Sequence, residues 1–91
     1  RIGIIMVKKD VVVKSVSGLH ARPGSALVEL ALTFNSDIKL IHNGSSINAK
    51  EILEVMMGNI NCGDKLTVEV NGDDEKKALD AICEYIEKGE E

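Results

Sequence analysis

The sequence DIKLIHNGSSIN, residues 37–48, decides the fold because it contains two short strands and the turn between them. Ile38 and Leu40 alternate with polar residues, which is the pattern of a strand that buries one face. Asn43 and Gly44 follow, and both tolerate the positive φ angles of a two-residue hairpin turn. The stretch therefore predicts an antiparallel β-hairpin with strands over residues 37–42 and 45–48.

Two further strands flank this hairpin in the sequence. Residues 11–16, VVVKSV, are rich in β-branched side chains, and Gly18 ends the strand that they predict. Residues 65–70, KLTVEV, alternate strictly between apolar and polar side chains. This second segment predicts a strand with one buried face and one face toward water.

Three helical patterns lie between and after these strands, each with apolar residues three or four positions apart. Pro23 suits the first turn of the first helix, where its missing N–H costs little. Gly58 and Gly89 end the second and third helices, and Asp73 or Asp74 can cap the third. The apolar faces comprise Leu27, Leu30, Ala31 and Phe34; Ile52, Val55 and Met56; and Ala78, Ile82 and Ile86.

The predicted order of the elements is βαββαβα. A tight hairpin and alternating strands indicate a four-stranded antiparallel sheet with one wetted face and three helices on the other. This is an α+β open-faced β-sandwich. The 91 residues suit one domain with a single core. We expect residues 6–91 to form that domain, and we expect residues 1–5, which precede Met6, to be an extra N-terminal leader.

The composition disfavours several classes of function. With 11 basic and 15 acidic residues the net charge is −4, so the clustered cations that bind nucleic acid are missing. Cys62 and Cys83 form no CxxC pair, which favours two reduced thiols over a disulfide and gives no metal site. The apolar run at residues 4–7 is too short for a signal peptide or membrane span. We therefore expect a cytoplasmic protein without metal or cofactor.

Residues 18–23, GLHARP, join the first strand to the first helix and place His20 at the start of that helix. The free N–H groups and dipole of a helix N-terminus favour an anion. Arg22 adds a charge that can bind phosphate oxygens through two N–H groups, and Gly24 keeps the first turn narrow for a tetrahedral group. Neutral imidazole is a nucleophile near neutral pH. The spacing alone fits both a phosphoryl-accepting His20 and an ordinary solvent-exposed capping histidine.

The same hexapeptide closely resembles the active-site signature of the HPr family, the histidine phosphocarriers of the bacterial phosphoenolpyruvate–sugar phosphotransferase system. The resemblance extends over the chain after Met6 and includes residues 48–56, NAKEILEVM. It implies that His20 takes a phosphoryl group on Nδ1 from phospho-enzyme I and passes it to an enzyme IIA component during sugar uptake. Arg22 would stabilise charge during transfer, and the backbone N–H groups of Ala21, Arg22 and Gly24 would help to hold the group.

The resemblance also implies a docking surface for both partners. Leu19, Ile52, Leu53 and Met56 would form an exposed apolar patch. The alternative is that some of these residues belong to the core, which we expect of Val55 rather than of Met56. A carrier must leave each partner quickly, so a small patch on a monomer suits the function.

Glu51 occupies the position where many HPr proteins have a regulatory serine, between Lys50 and Ile52. It has no hydroxyl for the HPr kinase to phosphorylate, which puts signalling through that switch in doubt. We favour a structural interpretation, in which Glu51 completes a capping box with Asn48. The alternative is a permanent partial mimic of the phosphorylated serine.

No second chemical site accompanies this segment in the sequence. His42 ends a strand, has no neighbouring arginine or helix start, and is expected to be an ordinary surface residue. Two other functions stay open: an HPr-like carrier in a nitrogen-related or dihydroxyacetone-kinase phosphorelay, and a small regulatory ligand-binding module. Independent catalytic turnover is disfavoured, because no general-base pair or metal cluster accompanies His20.

Overall fold

The predicted order of strands and helices is present in the computed structural model, which describes residues 6–88. The elements are β1 (Val7–Val12), α1 (Ala21–Leu32), β2 (Asp37–His42), β3 (Ser45–Asn48), α2 (Ile52–Met57), β4 (Lys65–Asn71) and α3 (Glu75–Lys88). The order βαββαβα is therefore confirmed. The predicted leader at residues 1–5 and the predicted helix end at Gly89 lie outside the described residues.

The strands over residues 6–88 form one antiparallel sheet of four strands in the order β1-β4-β2-β3. Alternation along β4 buries Leu66, Val68 and Val70 on the face that the helices cover. On the opposite face Glu69 pairs in register with Lys8 on one side and Lys39 on the other. One apolar and one charged face make the open-faced α+β sandwich that the sequence predicts.

The first strand begins earlier than predicted. β1 covers Val7–Val12, whereas the β-branched run pointed to residues 11–16. Residues 8–10 are charged, so they gave no apolar alternation from which a strand could be predicted. β1 is an edge strand, however, and charged side chains are well tolerated there. β1 ends at Val12, and the Val13 N–H donates to the carbonyl of Asp64, the residue before β4, at 2.9 Å. The following residues form the loop that leads to the first helix.

Asp74 ties the loop before β2 to the start of α3. Its carboxylate accepts hydrogen bonds from the Ser36 hydroxyl at 2.5 Å, the Ser36 N–H at 3.0 Å and the Asn35 N–H at 2.9 Å. The Ser36 hydroxyl and then the Asn35 N–H lower the pKa of Asp74 from its usual value of 3.8. The side chain that was expected to cap α3 thus joins two loops.

This lowered pKa makes the stability of the protein depend on pH in a defined direction. A carboxylate whose pKa falls on folding stabilises the fold above its unfolded pKa, and that contribution is lost as the pH falls through the folded value. We expect Asp74→Asn to lower the Tm at neutral pH, and we expect this loss to shrink as the pH falls below 3.8. Thermal unfolding followed by circular dichroism, from neutral to acidic pH, measures the Tm of the variant and of the wild type. A Tm difference that is the same at every pH would contradict this role of Asp74.

Candidate functional site

His20 is the N-cap residue of α1, with an extended backbone at φ −111° and ψ 158°. Its side chain is half-buried and makes no capping hydrogen bond to the helix. In any α-helix the N–H groups of the first turn have no acceptor within the helix. The ring of His20 therefore does not cap the helix through its side chain, which is not the arrangement of a capping histidine.

The imidazole ring is held by a residue 41 positions away in the sequence. Nε2 of His20 lies 2.9 Å from Oδ1 of Asn61. The Asn61 amide is oriented by its own Nδ2, which donates to the Asn59 carbonyl at 3.2 Å. Because an amide oxygen can only accept, this bond requires a proton on Nε2, and in the neutral ring the lone pair is then on Nδ1.

Close backbone packing brings the segment with Asn61 against the segment with His20. The Leu19 N–H donates to the Ile60 carbonyl at 2.9 Å. Gly18 has a φ of +70°, and a Cβ there would strike the Ile60 carbonyl and lie 3.1 Å from Cδ2 of His20. Glycine is therefore required at this position both for its conformation and for the approach of the two segments.

His42 is not the surface residue that was predicted. It is 6 % exposed, because it follows Ile38 and Leu40 as the third helix-facing position of β2. Its Nε2 lies 2.9 Å from Oδ2 of Asp64, which also accepts the Asn61 N–H at 2.9 Å. The Asn61 N–H and then the His42 ring lower the pKa of Asp64. The alternation along β2 places His42 on the buried face, so its burial could have been predicted. Its partner Asp64 could not be predicted from the sequence.

The other residues of the hexapeptide have distinct positions. Ala21 has a φ of 48°, an unfavourable left-handed conformation for a residue with a Cβ, and the side chain of Arg22 is exposed. Gly24 is buried, and a Cβ there would lie 2.6 Å from the Leu19 carbonyl and 3.1 Å from Cε of Met56. Gly24 is thus needed for packing. Access for a tetrahedral group and a phosphate-holding role for its N–H stay predictions.

Leu19 does not belong to an exposed patch. Its side chain is 1 % exposed and is part of the core. The residue precedes the N-cap, and its backbone turns inward where it pairs with Ile60. The predicted docking role of Leu19 is therefore wrong, since a partner cannot reach it.

The apolar residues of α2 do form a surface. Ile52 is 38 % exposed and Leu53 70 % exposed, whereas Met56 is half-buried. Val55 is fully buried, as expected, and it is the buried residue of this short helix. Met57, which the sequence pattern did not single out, is 81 % exposed. A helix of six residues buries one narrow stripe, so its other apolar side chains face water.

The capping box predicted at α2 is not formed. The helix begins at Ile52, which makes Glu51 the N-cap residue, and its side chain makes no capping hydrogen bond. The Asn48 side chain instead accepts the Lys50 N–H at 2.9 Å, and the Asn48 N–H donates to Oε1 of Glu54 at 2.9 Å. The carboxylate of Glu54 therefore accepts the Asn48 N–H, the bond that the capping box assigned to Glu51. The helix begins at Ile52, three residues later than an N-cap at Asn48 would place it.

Two further observations bear on the kind of site. Across residues 6–88 no three His, Cys, Asp or Glu side chains are grouped as metal ligands, and no helix is long and apolar enough to cross a membrane. Cys62 and Cys83 are free thiols, and burial raises the pKa of Cys83 to about 11.

An open-faced sandwich with a histidine at the start of its first helix, its Nε2 bonded to Asn61, fits the class of small phosphocarrier domains. Comparison with known proteins gives the family. The family model described as the PTS HPr component phosphorylation site matches residues 7–88. The chain belongs to this family, the HPr phosphocarrier proteins.

Individual relatives agree with this assignment over nearly their whole length. Phosphocarrier protein HPr of Borreliella burgdorferi is 35% identical over 86 residues, which are 94% of this chain and 100% of the relative. HPr-like protein Crh of Halalkalibacterium halodurans is 40% identical over 83 residues, 91% of this chain and 99% of the relative. The crystal structure of HPr from Bacillus anthracis has a TM-score of 0.87 at 37% identity and covers 89% of this chain and 96% of that one.

Proposed function

We propose that this protein accepts a phosphoryl group on Nδ1 of His20 from phospho-enzyme I and donates it to enzyme IIA components during sugar uptake. The observation that carries the proposal is the hydrogen bond from Nε2 to Asn61, which leaves the lone pair on Nδ1. The ring lies at the N-cap of α1, where the helix dipole favours a phosphoryl group. Membership of the HPr family supports the same chemistry.

The transfer step requires no other reactant than the phosphorylated donor. The lone pair of Nδ1 forms the new bond to phosphorus while the bond from phosphorus to the donor atom breaks, and the donor keeps that electron pair. The ring of His20 becomes positively charged, since Nε2 keeps its proton. The N–H groups of Ala21 and Arg22 and the Arg22 guanidinium stabilise the phosphoryl oxygens. Donation to the acceptor is the reverse displacement, so the protein has no turnover of its own.

Both partners are proposed to dock on the apolar side chains of α2. Ile52, Leu53 and Met56 form the patch, and the exposed Met57 extends it. Such a small surface suits complexes that must dissociate quickly. Glu51 adds a charge at the edge of the patch, and because it has no hydroxyl the proposal includes no serine-kinase switch.

The proposal also includes a cytoplasmic location and a monomeric state. The edge strand β1 carries three consecutive charged residues, Lys8, Lys9 and Asp10. Charged side chains on an edge oppose pairing with the edge of another copy. Sedimentation of the purified protein tests this, with a single species of one chain expected.

The direct test is phosphorylation of the purified protein by phosphoenolpyruvate and enzyme I. We expect acid-labile phosphate on Nδ1 of His20, identified by ³¹P NMR, and loss of the label when an enzyme IIA component is added. Omission of enzyme I is the control. Label that forms only with the enzymes of a nitrogen-related or dihydroxyacetone-kinase phosphorelay would assign the protein to that alternative, and no label with any of them would refute the carrier function.

Arg22 provides a second test of the chemistry. Its guanidinium is exposed one residue after the helix start. We expect Arg22→Ala to slow transfer about 100-fold, because charge developing on the phosphoryl oxygens loses a donor. The Kd for enzyme I should change little. Rapid-quench kinetics and calorimetry measure the two quantities, with Arg22→Lys as the variant that keeps the charge but not the two-pronged geometry; equal losses in rate and affinity would argue for a docking role instead.

A further inference from the structure

We propose that Asn61 is a positioning residue that selects Nδ1 of His20 as the accepting atom, and that Asp64 and His42 hold Asn61 in place. The inference deepens the proposed function and rests on it. The central measurement, however, is made on the unphosphorylated protein and requires no transfer.

The selection follows from the different capacities of the two ring nitrogens. Both are chemically able to attack phosphorus, and the one without a proton does so. Oδ1 of Asn61, 2.9 Å from Nε2, accepts a hydrogen and therefore keeps the proton on that nitrogen. The bond from Nδ2 to the Asn59 carbonyl prevents the amide from turning its NH₂ group toward the ring. Asn61 thus holds Nε2 out of the reaction and leaves Nδ1 available.

Asn61 is itself anchored to the sheet. Its backbone N–H donates to Oδ2 of Asp64 at 2.9 Å, and its carbonyl accepts the Asp64 N–H at 3.0 Å. The same Oδ2 accepts from Nε2 of His42, a buried residue of β2. The hydrogen bonds from His20 to His42 form one continuous series through Asn61 and Asp64. The half-buried ring of His20 is therefore oriented by contacts that end inside the fold.

The hydrogen bond from Nε2 of His20 to Oδ1 of Asn61 strengthens during the reaction. When Nδ1 bonds to phosphorus the ring becomes cationic, and the Nε2–H bond to Oδ1 becomes charge-assisted. Hydrogen bonds to charged groups contribute more than neutral ones, so loss of this acceptor should slow transfer about 10- to 100-fold. Docking on α2 should be unaffected, because the Asn61 side chain lies at the ring.

The tautomer of His20 can be read by ¹⁵N NMR of histidine-labelled protein. In the wild type we expect a protonated Nε2 and an unprotonated Nδ1. Asn61→Ala should move the two ¹⁵N shifts toward each other, whereas Asn61→Asp, which keeps an acceptor opposite Nε2, should restore them. Cys62→Ala is the matched control, since it is an exposed neighbour in the same loop, and it should give wild-type shifts. Wild-type shifts in Asn61→Ala would overturn the proposal.

Two further measurements complete the test: the transfer kinetics of Asn61→Ala and the tautomer of His20 in Asp64→Ala. Asn61→Ala should accept phosphate from enzyme I about 10- to 100-fold more slowly and carry part of it on Nε2. Asp64→Ala should shift the tautomer in the same direction by a smaller amount; no shift would remove Asp64 and His42 from the proposal. A wild-type protein that takes no phosphate would refute the proposed function while leaving the tautomer result standing, so the two failures are distinguishable.

Discussion

His20→Ala is expected to abolish acid-labile phosphate, with transfer from phospho-enzyme I falling by at least about 1,000-fold. The reason is that the attacking lone pair is removed and the family signature offers no substitute. The fold should survive, because the ring is half-buried and makes no capping hydrogen bond to α1. Radiolabelled phosphoenolpyruvate with enzyme I measures the transfer, and circular dichroism with an amide NMR spectrum verifies the fold.

The outcome that contradicts this prediction is equally specific. Acid-labile label that persists on a folded His20→Ala protein would assign the transfer to another residue. The chain has one other histidine, His42. Because its side chain is buried and bonded to Asp64, label there would also require the hairpin end to open.

Leu19→Ala is expected to cost about 2–5 kcal/mol of folding free energy, the usual loss for a buried leucine. The side chain is 1 % exposed, so its removal leaves a cavity beside the first turn of α1. Chemical denaturation followed by circular dichroism measures the change. The loss should appear without any change in the Kd for enzyme I at temperatures where the variant is folded.

Leu53→Ala is the matched comparison for Leu19→Ala. Leu53 is 70 % exposed, so its truncation should change stability by less than about 0.5 kcal/mol. Binding of enzyme I should weaken instead. If Leu19→Ala weakened binding and left stability unchanged, the assignment of Leu19 to the core and not to the patch would be wrong.

The regular elements could be predicted wherever one face of the element is buried. The hairpin around Asn43 and the alternation of β4 were clear signals, because apolar residues at every second position are typical of a half-buried strand and not of a helix. Residues 8–10 carried no such signal, since an edge strand tolerates charges that a sequence pattern assigns to a loop. The capping box at α2 was predicted wrongly, because the helix begins at Ile52 and the carboxylate that accepts the Asn48 N–H is that of Glu54, not of Glu51.

The candidate site could be predicted only as far as it is local in sequence. His20 and Arg22 lie within one hexapeptide, so their common position was evident. Asn61 reaches His20 because the segment before β4, to which the Leu19 N–H bonds, packs against the start of α1, and no local pattern records such a tertiary contact. For the same reason the sequence could not show which ring nitrogen of His20 is protonated.

The short helix α2 has a consequence for how this carrier can diverge. Val55 is its one fully buried side chain and Met56 is half-buried, while Ile52, Leu53 and Met57 are exposed. Substitutions at exposed positions usually change stability by less than about 0.5 kcal/mol. Natural selection can therefore alter the partners that the helix recognises without endangering the domain, and the phosphate-bearing loop can stay constant while the circuits that it serves change.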